Sequence, residues 1–195
     1  MDVDEALNDL RLIKRLLSDA RRGATTGGAP FFALWGAIWV VGYLLPAVGT
    51  PSGRVGPLWL GLDAVGALAS AWIGVHLGRS HGQVPYLVRK WFWSGLILLG
   101  FGLGALLLAA RGQLAPPGPA FFVWPLAVGT WYAVGGLMFD APVFLALGLW
   151  IAAVSVAAPF LAVSPALQQA LVGVLAGGAT MVTGLGGLRR REGRG

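Results

Sequence analysis

The sequence predicts an all-α polytopic membrane protein, a bundle of six transmembrane helices with an amphipathic cytoplasmic helix before it. Three observations carry that prediction. Of 195 residues, 56% are hydrophobic and only 11% charged, against roughly 25% charged in a soluble domain. A globule so poor in charge cannot cover its surface with polar groups, and a mean hydropathy of +0.74 agrees. Apolar stretches of about 20 residues, the length that crosses ~30 Å of hydrocarbon, recur six times along the chain. Finally, lysines and arginines collect in alternate flanks of those stretches.

Residues 1–29 form the first region. Val3, Ala6, Leu10, Ile13, Leu17 and Ala20 recur at alternating spacings of three and four, which places them on one helical face. Asp2, Asp4, Glu5 and Asp9 come early and most basic residues later, an order that suits the helix dipole. Residues 2–22 are therefore expected to form an amphipathic helix ended by Gly23. Three placements are open for it: on the membrane surface, beneath the bundle, or against another chain. The third would make residues 2–22 a docking handle for a cytoplasmic or membrane protein, or for a second copy.

Residues 30–188 form the transmembrane domain. Its spans are expected at about 30–48, 57–77, 91–110, 120–139, 142–163 and 166–188. Gly49–Gly53 and Ala115–Pro119 have turn composition between spans, and Asp140-Ala141-Pro142 and Ser164-Pro165 break the later helices. The last two connections are so short that the fourth, fifth and sixth spans must be antiparallel neighbours. A β-barrel would need alternating strands of ~10 residues, which these are not.

Residues 189–195 are a basic tail. With both termini cytoplasmic, all but Arg54 and Arg111 of the 14 lysines and arginines fall on the inner side. The net charge of +6 follows from this topology, and nucleic acid need not be invoked. Trp35, Trp59, Trp91, Trp93, Trp124 and Trp150 lie near span ends, as an interfacial aromatic belt would.

Asp63 sits within the second span. On a helical wheel it shares a face with Gly66, Ala67, Ser70, Gly74 and Gly78, while Val65, Leu68, Trp72 and Val75 lie opposite. The carboxylate is expected to point into the bundle and the bulky side chains into lipid. The sixth span carries a comparable stripe of Ala166, Gln169, Gly173, Gly177, Thr180 and Gly184. Such GxxxG spacing allows close backbone approach. Asp63 and Gln169 lie at depths within about one turn of each other, so Gln169 is a candidate hydrogen-bond partner. Two readings of Asp63 stand: a structural polar anchor, balanced by a proton or by Arg54 or Arg111, and a site for a proton, cation or solute. In the second, Gln169, Ser70 and Thr180 assist.

Little else carries chemistry. Without cysteine, thiol catalysis and thiolate metal sites are excluded, and no cofactor or metal is expected. Asp63 and Asp140 lie near opposite faces, too far apart to share a proton as a protease dyad does. His76 and His81 do not make a haem pair, and Lys14 and Lys90 lie outside the spans. No enzyme is expected. Two pairs of segments, PFFALWG with PAFFVWP and PLWLGLDAVGALAS with PVFLALGLWIAAVS, echo each other faintly, which leaves an inverted repeat open.

The segment Phe31–Trp39, FFALWGAIW, has the form FFxLWGxxW after a short charged helix. In this the chain resembles a group of bacterial six-span inner-membrane proteins of uncharacterised activity. The resemblance covers the first forty or so residues and implies an inner-membrane location but no site residues. The function expected is assembly, as a partner subunit or a membrane-embedded regulatory component. A small-solute or proton-coupled transporter using Asp63 is the alternative.

Overall fold

A computed structural model describes residues 7–14, 28–49, 52–81, 93–98, 100 and 117–192, and every regular element among them is helical. The longer helices are α1 (Ala29–Ala47), α2 (Ser52–His81), α3 (Pro117–Met138), α4 (Pro142–Ala157), α5 (Pro165–Val172) and α6 (Gly178–Glu192). A π-helical turn, Gly173–Gly177, joins α5 to α6 in one C-terminal rod. Among the described residues four segments are long and apolar enough to cross a membrane: Ala29–Ala47, Arg54–His76, Pro142–Phe160 and Pro165–Arg189. Phe122–Met138 is a shorter apolar helix. Residues 93–98 and 100 are helical within the expected third span, and the rest of that span lies outside the described residues. The same holds for the expected helix over 2–22, of which residues 7–14 are described and helical.

Local chemistry sets the helix ends. Pro30 opens α1, where a missing N–H is no loss. Gly49, at φ +122°, turns the chain after it. The α3–α4 connection is a Schellman turn: Ala141 N–H donates to Gly136 O at 2.8 Å and Asp140 N–H to Leu137 O at 3.3 Å. Asp140 takes the left-handed position, φ 48°, that glycine usually fills. A 3-10 turn, Ala158–Phe160, ends α4. Ser164 then caps α5 by accepting from Leu167 N–H, and the Gln168 amide donates to Pro159 O and Leu161 O at 3.3 and 3.0 Å.

Two closely packed pairs make the bundle. In the first, α1 runs along the C-terminal rod. Gly184 meets the backbone of Ala33 and Ala29, Gly36 meets Met181 and Gly177, Gly177 meets Trp39 and Val40, and Gly173 meets Tyr43. In the second, α3 packs on α4. A Cβ on Gly129 would stand 2.8 Å from Ala152 N, and Gly148 and Gly136 lie against Ala133 and Leu145. The pairs join through edge-on aromatic contacts, with Phe32 at 5.2 Å from Tyr132 and 4.8 Å from Phe144. Ile151 of α4 and Val172 of α5 are fully buried.

The glycines of the two small-residue stripes differ in their surroundings. Gly173, Gly177 and Gly184 sit at the closest approach of two helices, and Gly66 lies under Trp35 and Ile38 of α1. Gly74 faces open space, so its place on the stripe buys no contact. Gly78 lies in the last turns of α2, and its surroundings fall outside the described residues. Val65, Leu68, Trp72 and Val75 are all exposed, as their side of the wheel requires. α6 continues through Arg189 to Glu192, so the first residues of the expected basic tail are helical.

Candidate functional site

No hydrogen bond joins the polar groups Asp63, Gln169, Ser70 and Thr180 to one another. Asp63 and Gln169 are both half-buried, and no hydrogen bond joins them. The cause is the order of packing: α2 lies against α1, and α1 lies against the rod that carries Gln169. Matching depths place two residues at one level of the membrane but do not make their helices neighbours. Ser70 accepts the indole N–H of Trp35 at 3.1 Å. Thr180 is buried and donates to Ala176 O, four residues back in its own helix, at 2.8 Å.

Three further hydroxyls follow the Thr180 pattern. Ser155, Thr130 and Thr183 donate to Ile151 O, Leu126 O and Ala179 O at 2.7, 2.9 and 2.8 Å. A hydroxyl in hydrocarbon needs an acceptor, and the carbonyl one turn back is always within reach.

Several tryptophans act as fasteners between helices. Trp35 fits over Gly66 and binds Ser70 of α2. Trp131 of α3 fits over Gly95 and donates to Ser94 Oγ at 2.9 Å. Trp150 of α4 donates to Leu175 O in the π turn at 2.9 Å. Trp35 and Trp150 thus bind a neighbouring helix in addition to the interfacial role expected of them. Trp93 is 58% exposed, in keeping with an interfacial one.

Around Asp63 the structure assembles a group that the wheel of one helix could not show. Trp59 lies one turn before Asp63 on the same face of α2. Its ring packs on Gly42 of α1 and meets the Tyr43 ring at a 5.1 Å centroid distance and 75°. Tyr43 is 2% exposed, and the Asp63 carboxylate lies within electrostatic reach of its phenol. Trp59 Nε1 is buried with no hydrogen-bond partner. Leaving such a donor unmet costs about 1–3 kcal/mol.

Among the described residues Asp63 makes no hydrogen bond and no ion pair; Arg54 is exposed, and Arg111 lies outside those residues. An unmet donor and an unmet acceptor thus adjoin one aromatic corner. Gly42, whose lack of a side chain admits the Trp59 ring, makes room for that corner. No group of three or more His, Cys, Asp or Glu that could hold a metal occurs among the described residues. No protein family, curated protein or solved structure matches the chain.

Proposed function

We propose that the chain is a six-span protein of the bacterial inner membrane, with both termini cytoplasmic, that acts by assembly as a partner subunit or membrane-embedded regulatory component and not as an enzyme. One observation carries this reading. The hydroxyls of Thr130, Ser155, Thr180 and Thr183 are engaged by their own helix carbonyls, and that of Ser70 by an indole. Side chains already held this way cannot line a path for a hydrophilic solute without breaking the helix contacts. Helix contact rests instead on small residues and aromatic fasteners, a construction suited to a rigid membrane part.

The inner-side concentration of basic flanks supports the orientation. The FFxLWGxxW resemblance supports the location. Exposed Leu7, Leu10 and Ile13 on the helical stretch 7–14 support a protein contact through residues 2–22, with a cytoplasmic partner or a second copy. Native co-purification in mild detergent, with and without residues 2–22, tests the reading. A partner or second copy lost on deletion is the expected result. A partner-free monomer in both preparations overturns it.

A second reading, a small transporter or channel, is favoured by one observation, the unpaired Asp63. Its expected helpers Ser70 and Thr180 are engaged elsewhere. Proton or solute flux in proteoliposomes that disappears in Asp63→Asn would establish it.

A further inference from the structure

The helical stretch 7–14 is exposed throughout, and its Leu10 and Ile13 are 55% and 51% exposed, so the bundle does not cover them. In heptad terms Leu10 is an a position and Ile13 a d position, and the sequence continues that seam with Val3, Ala6, Leu17 and Ala20. Leu7 flanks the seam, and Leu12 lies outside it. On the far side of the stretch the Arg11 guanidinium donates to Asn8 Oδ1 at 3.2 Å. That face is closed by its own polar pair, and the apolar one is left open.

The charges beside the seam choose what covers it. Asp9 stands at g and Lys14 at e. In a parallel pair of helices, g of one chain lies beside the following e of the other. Asp9 then meets Lys14 of a second copy, and two-fold symmetry makes the contact twice. In an antiparallel pair, g lies beside g and e beside e. The g positions are Asp2, Asp9 and Leu16 and the e positions Leu7, Lys14 and Arg21, so no antiparallel register brings opposite charges together. An anionic lipid surface suits the face less well, since every charged side chain before Arg11 is acidic.

We propose that this seam is an interface between two copies of the chain, a parallel helix pair packed through Leu10 and Ile13 and flanked by ion pairs from Asp9 to Lys14 of the second copy. A two-fold axis along the membrane normal relates copies inserted the same way, and it keeps helices that follow the axis parallel. So short a coil is weak alone. Anchoring in one membrane offsets this by raising the local concentration of the second copy. The proposal rests on the assembly reading and names its partner.

The chain has no cysteine, so single cysteines report contacts between copies without background. In native membranes under mild oxidation, Leu10→Cys and Ile13→Cys are expected to give disulfide-linked dimers, and Asn8→Cys, on the far face, none. Added to Leu10→Cys, Asp9→Lys and Lys14→Asp should each cut the linked dimer by about fivefold, because each sets like charges together at both contacts. Both changes in one chain restore the pairs and should restore the dimer. Co-expression of the two single variants should restore it too, as a mixed dimer.

No linked dimer at positions 10 and 13, equal linking at position 8, or charge variants that leave the yield unchanged would overturn the proposal. A doubly changed chain that stays unlinked while the mixed dimer forms marks an antiparallel pair and also overturns it. The assembly reading has its own outcome. A different protein that co-purifies and is lost on deletion of residues 2–22, with no link between copies, sinks the homodimer and keeps that reading. Absence of a second copy and of any other partner sinks both.

Discussion

The indole Nε1 of Trp150 donates to the carbonyl of Leu175 at 2.9 Å, and Leu175 lies inside the π-helical turn Gly173–Gly177. The two features explain each other. A π turn shifts the backbone register from i→i+4 to i→i+5, and such turns arise as local bulges in α-helices. Trp150 supplies a donor from α4 at that point, and Tyr43 of α1 packs on Gly173 at the start of the same turn. Trp150→Phe keeps the ring and removes the donor. It is expected to lower stability by about 0.6–1.7 kcal/mol, the range for interhelical hydrogen bonds in membranes. Hydrogen exchange should rise at Gly173–Gly177 before it rises in α6.

The glycine contacts predict a steep contrast along two stripes. Gly184 lies against the backbone of Ala33 and Ala29, where no side chain can swing aside. Gly184→Val should force α1 from the rod and cost about 1–3 kcal/mol, as overpacking does. Gly74 faces open space, so Gly74→Ala should leave stability within about 0.5 kcal/mol of wild type or raise it slightly. Thermal unfolding of both variants in one detergent makes the comparison. Equal losses would contradict the packing.

Trp35 and Ser70 make a pair suited to a double-mutant cycle. The Trp35 N–H donates to Ser70 Oγ at 3.1 Å, and the same ring covers Gly66. Trp35→Phe and Ser70→Ala should each lower stability, and the double variant should lose less than their sum. A coupling of about 0.6 kcal/mol is expected, since the lipid-exposed reference state also finds partners. Strict additivity would mean that the bond does not hold α1 to α2.

How much of this was legible is clearest at particular residues. Val65, Leu68, Trp72 and Val75 were readable as outward because a bulky face opposite a small one has few other uses in lipid. Gly173, Gly177 and Gly184 were readable because their spacings of four and seven residues mark a closely packing face. The partner of that face was not readable. Periodicity within one helix orients a side but does not choose the neighbour, and α1 occupies the place given to α2. The matching small residues of α1, Ala29, Ala33 and Gly36, stand in a segment whose aromatics dominate, so they went unmarked. Gly129, Gly136 and Gly148, which close α3 on α4, were missed for the related reason that glycine is common throughout the chain. The Tyr43–Trp59 corner depends on Gly42 meeting α2, a tertiary coincidence with no local signature.

Asp140 offers a test of the turn that sets α3 against α4. Its φ of 48° lies in the left-handed region, and the Ala141-to-Gly136 bond of 2.8 Å depends on that conformation. A β-branched side chain there crowds its own backbone, at about 1–2 kcal/mol. Asp and Asn tolerate the region because a short polar side chain can bond locally, and glycine is free of the penalty. Asp140→Val is therefore expected to lower the unfolding midpoint clearly, Asp140→Asn to leave it near wild type, and Asp140→Gly to hold or raise it. The turn brings Leu145 against Gly136 and carries α4 back along α3, so the Val variant should also loosen that pair. Amide hydrogen exchange at the facing residues Ala133 and Gly148 should then be faster in Asp140→Val than in Asp140→Gly. Equal exchange rates and equal midpoints in the two variants would show that the left-handed turn does not govern how α3 and α4 meet.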